Sequence, residues 1–299
     1  MDIRNVQKTG NMHYVYLPTS WCRKHKLSSK SKVSTAVNED GTLTLSPELQ
    51  EGKKKELTFR VKEDNLDVLH KLIIASYLTP ASGFTIHLDK QIDYTKLLQQ
   101  KKLISLELVE LNKDSITCEG SVVIEELGSL LKTMLRKIRN MITVMMKNYN
   151  KELVMRYEEE IDRSQLLLDK SIVEAFSFHH SSQLRTIELY YISHMSKELE
   201  RLVDILSVMD PVDVSFLKLI LDVVDVLKDV LGNVGDASFT LSVQAAITFI
   251  KKVDTVETVK VKDISTYEKK RAKELLASVS EVLVDWALFY ELEKQEAKP

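Results

Sequence analysis

Three pairs of carboxylates spaced four residues apart are the groups in this 299-residue chain best placed to do chemistry: Glu158 with Asp162, Glu200 with Asp204, and Glu281 with Asp285. A spacing of four sets both acids on one face of a helix, one turn apart. Two like charges so placed repel by about 0.2–0.5 kcal/mol in an isolated helix. A hard cation reverses that sign, because carboxylate oxygens are its preferred ligands. The chain holds 44 acids, so roughly six pairs at this spacing arise from composition alone. Asp225 with Asp229 belongs to that background. Position along the chain is what separates Glu200–Asp204 and Glu281–Asp285 from it.

Other chemistries find no residues to carry them. None of the seven histidines (His13, His25, His70, His87, His179, His180 and His194) falls in an HxxxH or HExxH pair. His179 and His180 are adjacent at an expected helix junction and read as solvated. No GxSxG, GxxxxGK[ST] or GxGxxG is present. Without a base or nucleophile beside the carboxylates, the chain reads as non-enzymatic. Cys22 and Cys118 are too few for a disulfide framework or a cysteine-based zinc site.

The elements that must position the acids are helices. From residue 125 onward the pattern is helical throughout, in segments 125–149, 151–177, 181–209, 213–234, 237–252 and 264–296. Asp210-Pro211 separates the third from the fourth, and Gly232 with Gly235 the fourth from the fifth. Six antiparallel helices imply two three-helix bundles side by side, 124–210 and 211–299, an internal repeat. Glu200–Asp204 then lies on the third helix and Glu281–Asp285 on the sixth, the corresponding helix of each half.

Ahead of this bundle two smaller units are expected. Residues 49–123 read as an α/β unit: a strand at 56–61, a helix at 66–77 capped by Asn65, a strand at 84–88, a helix at 93–100, and a strand pair at 104–111 and 115–123. Residues 1–48 read as a β-rich head. Strands at 3–8 and 13–17 flank a turn at 9–12, Thr19 or Ser20 caps a helix to Lys26, and strands at 32–37 and 42–45 flank Asp40-Gly41. So short a segment buries little core alone and calls for a partner subunit.

Charge is unevenly spread. The net charge is −2. Residues 1–37 carry +6, whereas 121–299 carry −5. A basic head on a mildly acidic body suggests that the head meets a polyanion. No apolar run reaches the 18 or more residues of a membrane span. Met-Asp-Ile-Arg-Asn-Val at the start has no apolar leader core, so a cytoplasmic location without membrane insertion is expected.

Leu199-Glu200-Arg201-Leu202-Val203-Asp204 and Ser280-Glu281-Val282-Leu283-Val284-Asp285-Trp286-Ala287 resemble the two copies of the helix signature of the PhoU phosphate-uptake regulators. Residues 156–162 resemble the second-helix motif of the first repeat. Val6-Gln7-Lys8-Thr9-Gly10 through Val15-Tyr16-Leu17-Pro18, with Trp21 and residues 30–33, resembles the SpoVT/AbrB swapped-hairpin DNA-binding module. The fusion of the two, with an α/β insert between, is similar to archaeal PhoU-like proteins.

The resemblance implies a multidomain fold with an AbrB-like head at 1–48, an α/β linker at 49–123 and a PhoU-like bundle at 124–299. It implies iron or other metal clusters (iron, zinc or manganese) on the acid motifs, with Glu158, Asp162, Glu200 and Asp204 the stronger set and Glu281 and Asp285 the weaker. Ile205 and Trp286 stand where the family has histidine, and Gln244 and Thr248 where a fourth acid motif would fall. For the head it implies a homodimer of interleaved hairpins, with Arg4, Lys8, Arg23, Lys24 and Lys26 on DNA phosphates. Tyr14, Tyr16 and Trp21 are expected in the core or on the strand surface. The function implied is DNA-binding regulation of phosphate uptake, with the bundle sensing through metal or docking a phosphate transporter or signalling protein. The alternative is an adaptor whose head only dimerises.

Overall fold

The structure, a computed structural model, describes residues 3–37, 41–47, 56–98, 109–112, 114–119, 126–178, 184–209, 212–236, 238–257 and 259–296. The chain forms two compact units, Met1–Lys54 and Lys55–Pro299.

The first unit holds two separate hairpins and one short helix. β1 (Gln7–Thr9) pairs antiparallel with β2 (Met12–Tyr14), turning at Gly10, whose φ of 60° is the left-handed conformation glycine adopts freely. α1 is Thr19–Lys24, and β3 (Ser34–Val37) pairs with β4 (Leu43–Ser46). Residues 3–6 and 15–17 lie outside the ladder, a difference from the longer strands expected. A strand needs a hydrogen-bonding neighbour, and the first hairpin runs out after three pairs. Pro18, not Thr19 or Ser20, is the N-cap of α1, with no side-chain cap bond. No described residue of this unit is buried. Ile3, Val6, Met12, Tyr16, Val37 and Leu43 are exposed, and Tyr14 is 42 % exposed, so of the two places expected for the tyrosines, core or surface, they take the surface in the single chain.

The second unit opens with a four-stranded sheet in the order β5-β6-β8-β7. β5 (Glu56–Val61) and β6 (Gly83–Leu88) are parallel, joined through α2 (Leu66–Leu78). The short α3 (Tyr94–Leu98) follows, and then β7 (Val109–Asn112) and β8 (Ser115–Glu119) form an antiparallel pair. Asn65 caps α2, its Oδ1 accepting from the backbone N–H groups of Asp67 and Val68. The alternation along β6 buries Phe84, Ile86 and Leu88 against Leu69 and Ile73 of α2.

This sheet is not a free spacer. Leu166, from a helix of the bundle, belongs to its core. From the next turn of that helix Lys170, 5 % exposed, donates to the carbonyl oxygens of Thr79 and Ala81 and pairs with Glu174 at 3.1 Å.

The remaining six described helices are α4 (Leu127–Lys147), α5 (Lys151–Phe178), α6 (Thr186–Ser207), α7 (Val214–Val230), α8 (Val243–Asp254) and α9 (Ile264–Glu296). They pack as a closed ring: α4 on α5, α5 on α6, α6 on α9, α9 on α8, α8 on α7, and α7 back on α4. One apolar core runs through all six. The two halves therefore share a core instead of standing as separate bundles, and the contacts between them join corresponding helices, α4 with α7 and α6 with α9. Asp213 caps α7 through the N–H of Phe216 and binds Lys269 of α9 at 2.5 Å. The turn at Leu231–Asp236 closes over the start of α4, where Gly128 lies under the Val234 carbonyl. No helix among the described residues is long and apolar enough to cross a membrane.

Candidate metal centre

α5 packs on α6, and Ile161 and Leu168 on one and Leu199 and Val203 on the other are fully buried in the shared core. The acids sit at the margin of that seam. Asp162 follows Ile161, Glu200 follows Leu199, and Asp204 follows Val203, so each carboxylate is carried by a neighbour locked in the core. One oxygen from each of Asp162, Glu200 and Asp204 lies within 4.8 Å of the other two. Asp162 is buried, Glu200 partly so, and Asp204 is exposed, which gives the site a buried floor and an open mouth.

The surroundings deepen the negative character. Asp169, two turns beyond Asp162 on the same face of α5, has its carboxyl pushed up, chiefly by burial and further by the Glu200 charge. Gln165 donates to it at 2.7 Å and Lys197 lies 3.9 Å away, and both act the other way. Asp169 was not among the expected residues. Its i+7 spacing from Asp162 was readable, but its burial was not. Glu160, by contrast, is drawn off to Lys137 of α4 at 2.9 Å, and its carboxyl is held below the usual range by that hydrogen bond and charge.

Three of the six expected acids thus converge. Glu158 is buried one turn before Asp162 but is not one of the three whose oxygens meet. Glu281 and Asp285 lie exposed on α9. They share a groove with Asp254 of α8, an acid two turns beyond the stretch where Gln244 and Thr248 stand in place of a fourth motif. Among the described residues, Asp162, Glu200 and Asp204 form the one group of three close enough to hold an ion together. Asp225 is engaged by Arg139 at 2.6 Å, as a background acid should be. His179 and His180 lie outside the described residues.

All donors of the triad are carboxylate oxygens, which suit a hard divalent cation better than a soft one. The positions where the resemblance expects histidine point elsewhere. Trp286 is fully buried, stacked on Tyr191 at 5.7 Å, and its indole N–H finds no hydrogen-bond acceptor among the described residues; Ile205 packs on the core.

In the first unit Arg4, Lys8, Arg23, Lys24 and Lys26 are all exposed. Arg23 and Lys24 form the last turn of α1, and Lys26 follows in the left-handed conformation at φ 53°. Trp21 lies against His25, the residue that ends this helix, with ring centroids 5.4 Å apart. Compared with protein-family models, with curated proteins and with solved structures, the chain matches none.

Proposed function

We propose that this chain is a PhoU-like regulator of phosphate uptake whose helical bundle responds to a hard divalent cation and whose basic head binds DNA as a dimer. The observation that carries the reading is the convergence of Asp162, Glu200 and Asp204 across α5 and α6, on the two stretches of sequence that resemble the family's signatures. Among the three metals that the resemblance implies, manganese fits an all-carboxylate set better than iron or zinc does. The exposed basic side chains at the end of α1 support duplex contact through phosphates. The apolar residues left exposed on both hairpins support a second copy of the chain as the head's missing core. That same exposure favours the second reading, an adaptor whose head serves only to dimerise.

Two measurements on the full chain test this. Added manganese should raise the melting temperature by mass action, and Glu200→Gln with Asp204→Asn should abolish the rise. Binding to duplexes of unrelated sequence should weaken with salt, and Arg23→Ala with Lys24→Ala should flatten the slope by up to about two units. A melting temperature indifferent to manganese, iron and zinc would remove the cation. Absence of salt-dependent duplex binding by a chain that sediments as a dimer would select the adaptor.

A further inference from the structure

In the second half of the bundle α8 and α9 line an open groove of about 330 Å³. Its floor is apolar, built from Ile250, Val253, Ala277 and Val284. Its edge is acidic, with Asp254 from α8 and Glu281 and Asp285 from α9. We propose that this groove, with the stripe that continues it along α9, is the docking surface for a basic amphipathic helix of a partner protein. The proposal rests on the PhoU-like reading of the bundle, and adds to it a protein partner, the place where that partner docks and the chemistry that holds it.

The stripe follows from helical spacing. Ala277, Glu281, Val284, Leu288 and Leu292 recur at intervals of three and four and so lie along one line of α9. Leu288 and Leu292 are 52 % and 54 % exposed, large apolar side chains on the same line as the groove. From Ala277 to Leu292 the helix rises about 22 Å, the length of a partner helix of about 15 residues. A mainly apolar line with acids in it and beside it suits a helix that carries both apolar and basic side chains.

Charge selects the occupant. Asp254, Glu281 and Asp285 are exposed at the groove edge and repel nucleic acid and anionic bilayers alike. The one hydroxyl in the lining, that of Ser280, is buried and donates to the carbonyl of Leu276, so it offers nothing to a phosphate. The three acids do not converge on one point as those of the first half do. Spread charge over an apolar floor matches lysines and arginines spaced along a helix, with leucine-like side chains between them.

The test uses the full chain and a fluorescent 15-residue peptide of leucine and lysine, its leucines recurring every three and four residues. Anisotropy should show saturable binding to the wild type. Affinity should fall about tenfold for the same pattern carrying glutamate in place of lysine, and by a similar factor for Glu281→Gln with Asp285→Asn. Leu288→Ser with Leu292→Ser, both exposed and safe for folding, should weaken binding at least fivefold. Each variant should keep the manganese-dependent melting shift, so that failure of the groove and failure of the cation reading are told apart. Equal affinity for wild type and both variants would overturn the proposal. So would absence of peptide binding, or wild-type binding to phosphatidylserine vesicles that Leu288→Ser with Leu292→Ser removes.

Discussion

The Lys170 ammonium of α5 lies 3.1 Å from the carbonyl oxygen of Ala81, beyond the end of α2, while the same group meets Thr79 and faces the Tyr77 ring at 5.7 Å. A buried cation therefore pins the α/β module to the helix that carries Asp162. Replacing it with Met keeps the apolar stem but leaves two carbonyls and Glu174 without their donor. Lys170→Met should cost about 2–4 kcal/mol of stability. Hydrogen exchange in α2 and β6 should rise more than in α8 and α9.

Gly128 sits in the first turn of α4, and a Cβ there would fall 2.2 Å from the Val234 carbonyl oxygen. That neighbour is backbone and cannot swing away. Gly128→Ala should destabilise by about 1–3 kcal/mol through forced movement of the turn. Gly232→Ala, whose nearest contact would be 3.3 Å, should cost clearly less in the same melting experiment.

Asp169 has its carboxyl raised by burial and by Glu200. The native state thus holds its proton at pH values where the unfolded chain has lost it. Stability should fall as pH rises from the unfolded value near 3.8 through the raised native one, and then level off. Asp169→Asn should stabilise the chain near neutral pH and flatten that part of the profile. Urea midpoints against pH read both effects.

Asp213 has the opposite sign. Lys269 and the Phe216 N–H hold its carboxyl below the usual range. Its contribution is present above pH 3.8 and is lost as pH falls through the lowered native value. Asp213→Ala should cost about 1–2 kcal/mol near neutral pH, since it removes the cap of α7 as well as the ion pair. The loss should shrink in acid.

Much of this was legible before any coordinates. The helical segments expected at 151–177 and 264–296 appear as Lys151–Phe178 and Ile264–Glu296, because long apolar stripes that start beside a capping residue, Asn150 in one and Asp263 in the other, leave little choice of where they begin. The pairing of Glu200 with Asp204 was readable from spacing alone. The partner across the seam was only partly so: Asp162 and Glu158 are equivalent by pattern, and the rotation of α5 against α6 decides between them. Asp254 was missed because it closes α8 alone, without an i+4 companion. The burial of Lys170 was out of reach, since nothing in a lysine's neighbours along the chain says which distant carbonyls it will meet. In the head the strand pattern overshot, because local β preference says nothing of whether a ladder partner is present.

The like-with-like pairing of α4 with α7 and α6 with α9 is the contact pattern of a two-fold homodimer, drawn here within one chain. The connection between α6 and α7 acts as a tether that fixes the stoichiometry of the halves and makes their association independent of concentration. It also frees them from symmetry. A mutation in a true homodimer appears twice, once on each side of the axis. In this chain each half changes alone, so one keeps three acids gathered against a core seam while the other spreads its acids along an open apolar groove. A duplicated frame can in this way carry two different recognition surfaces without either one compromising the interface they share.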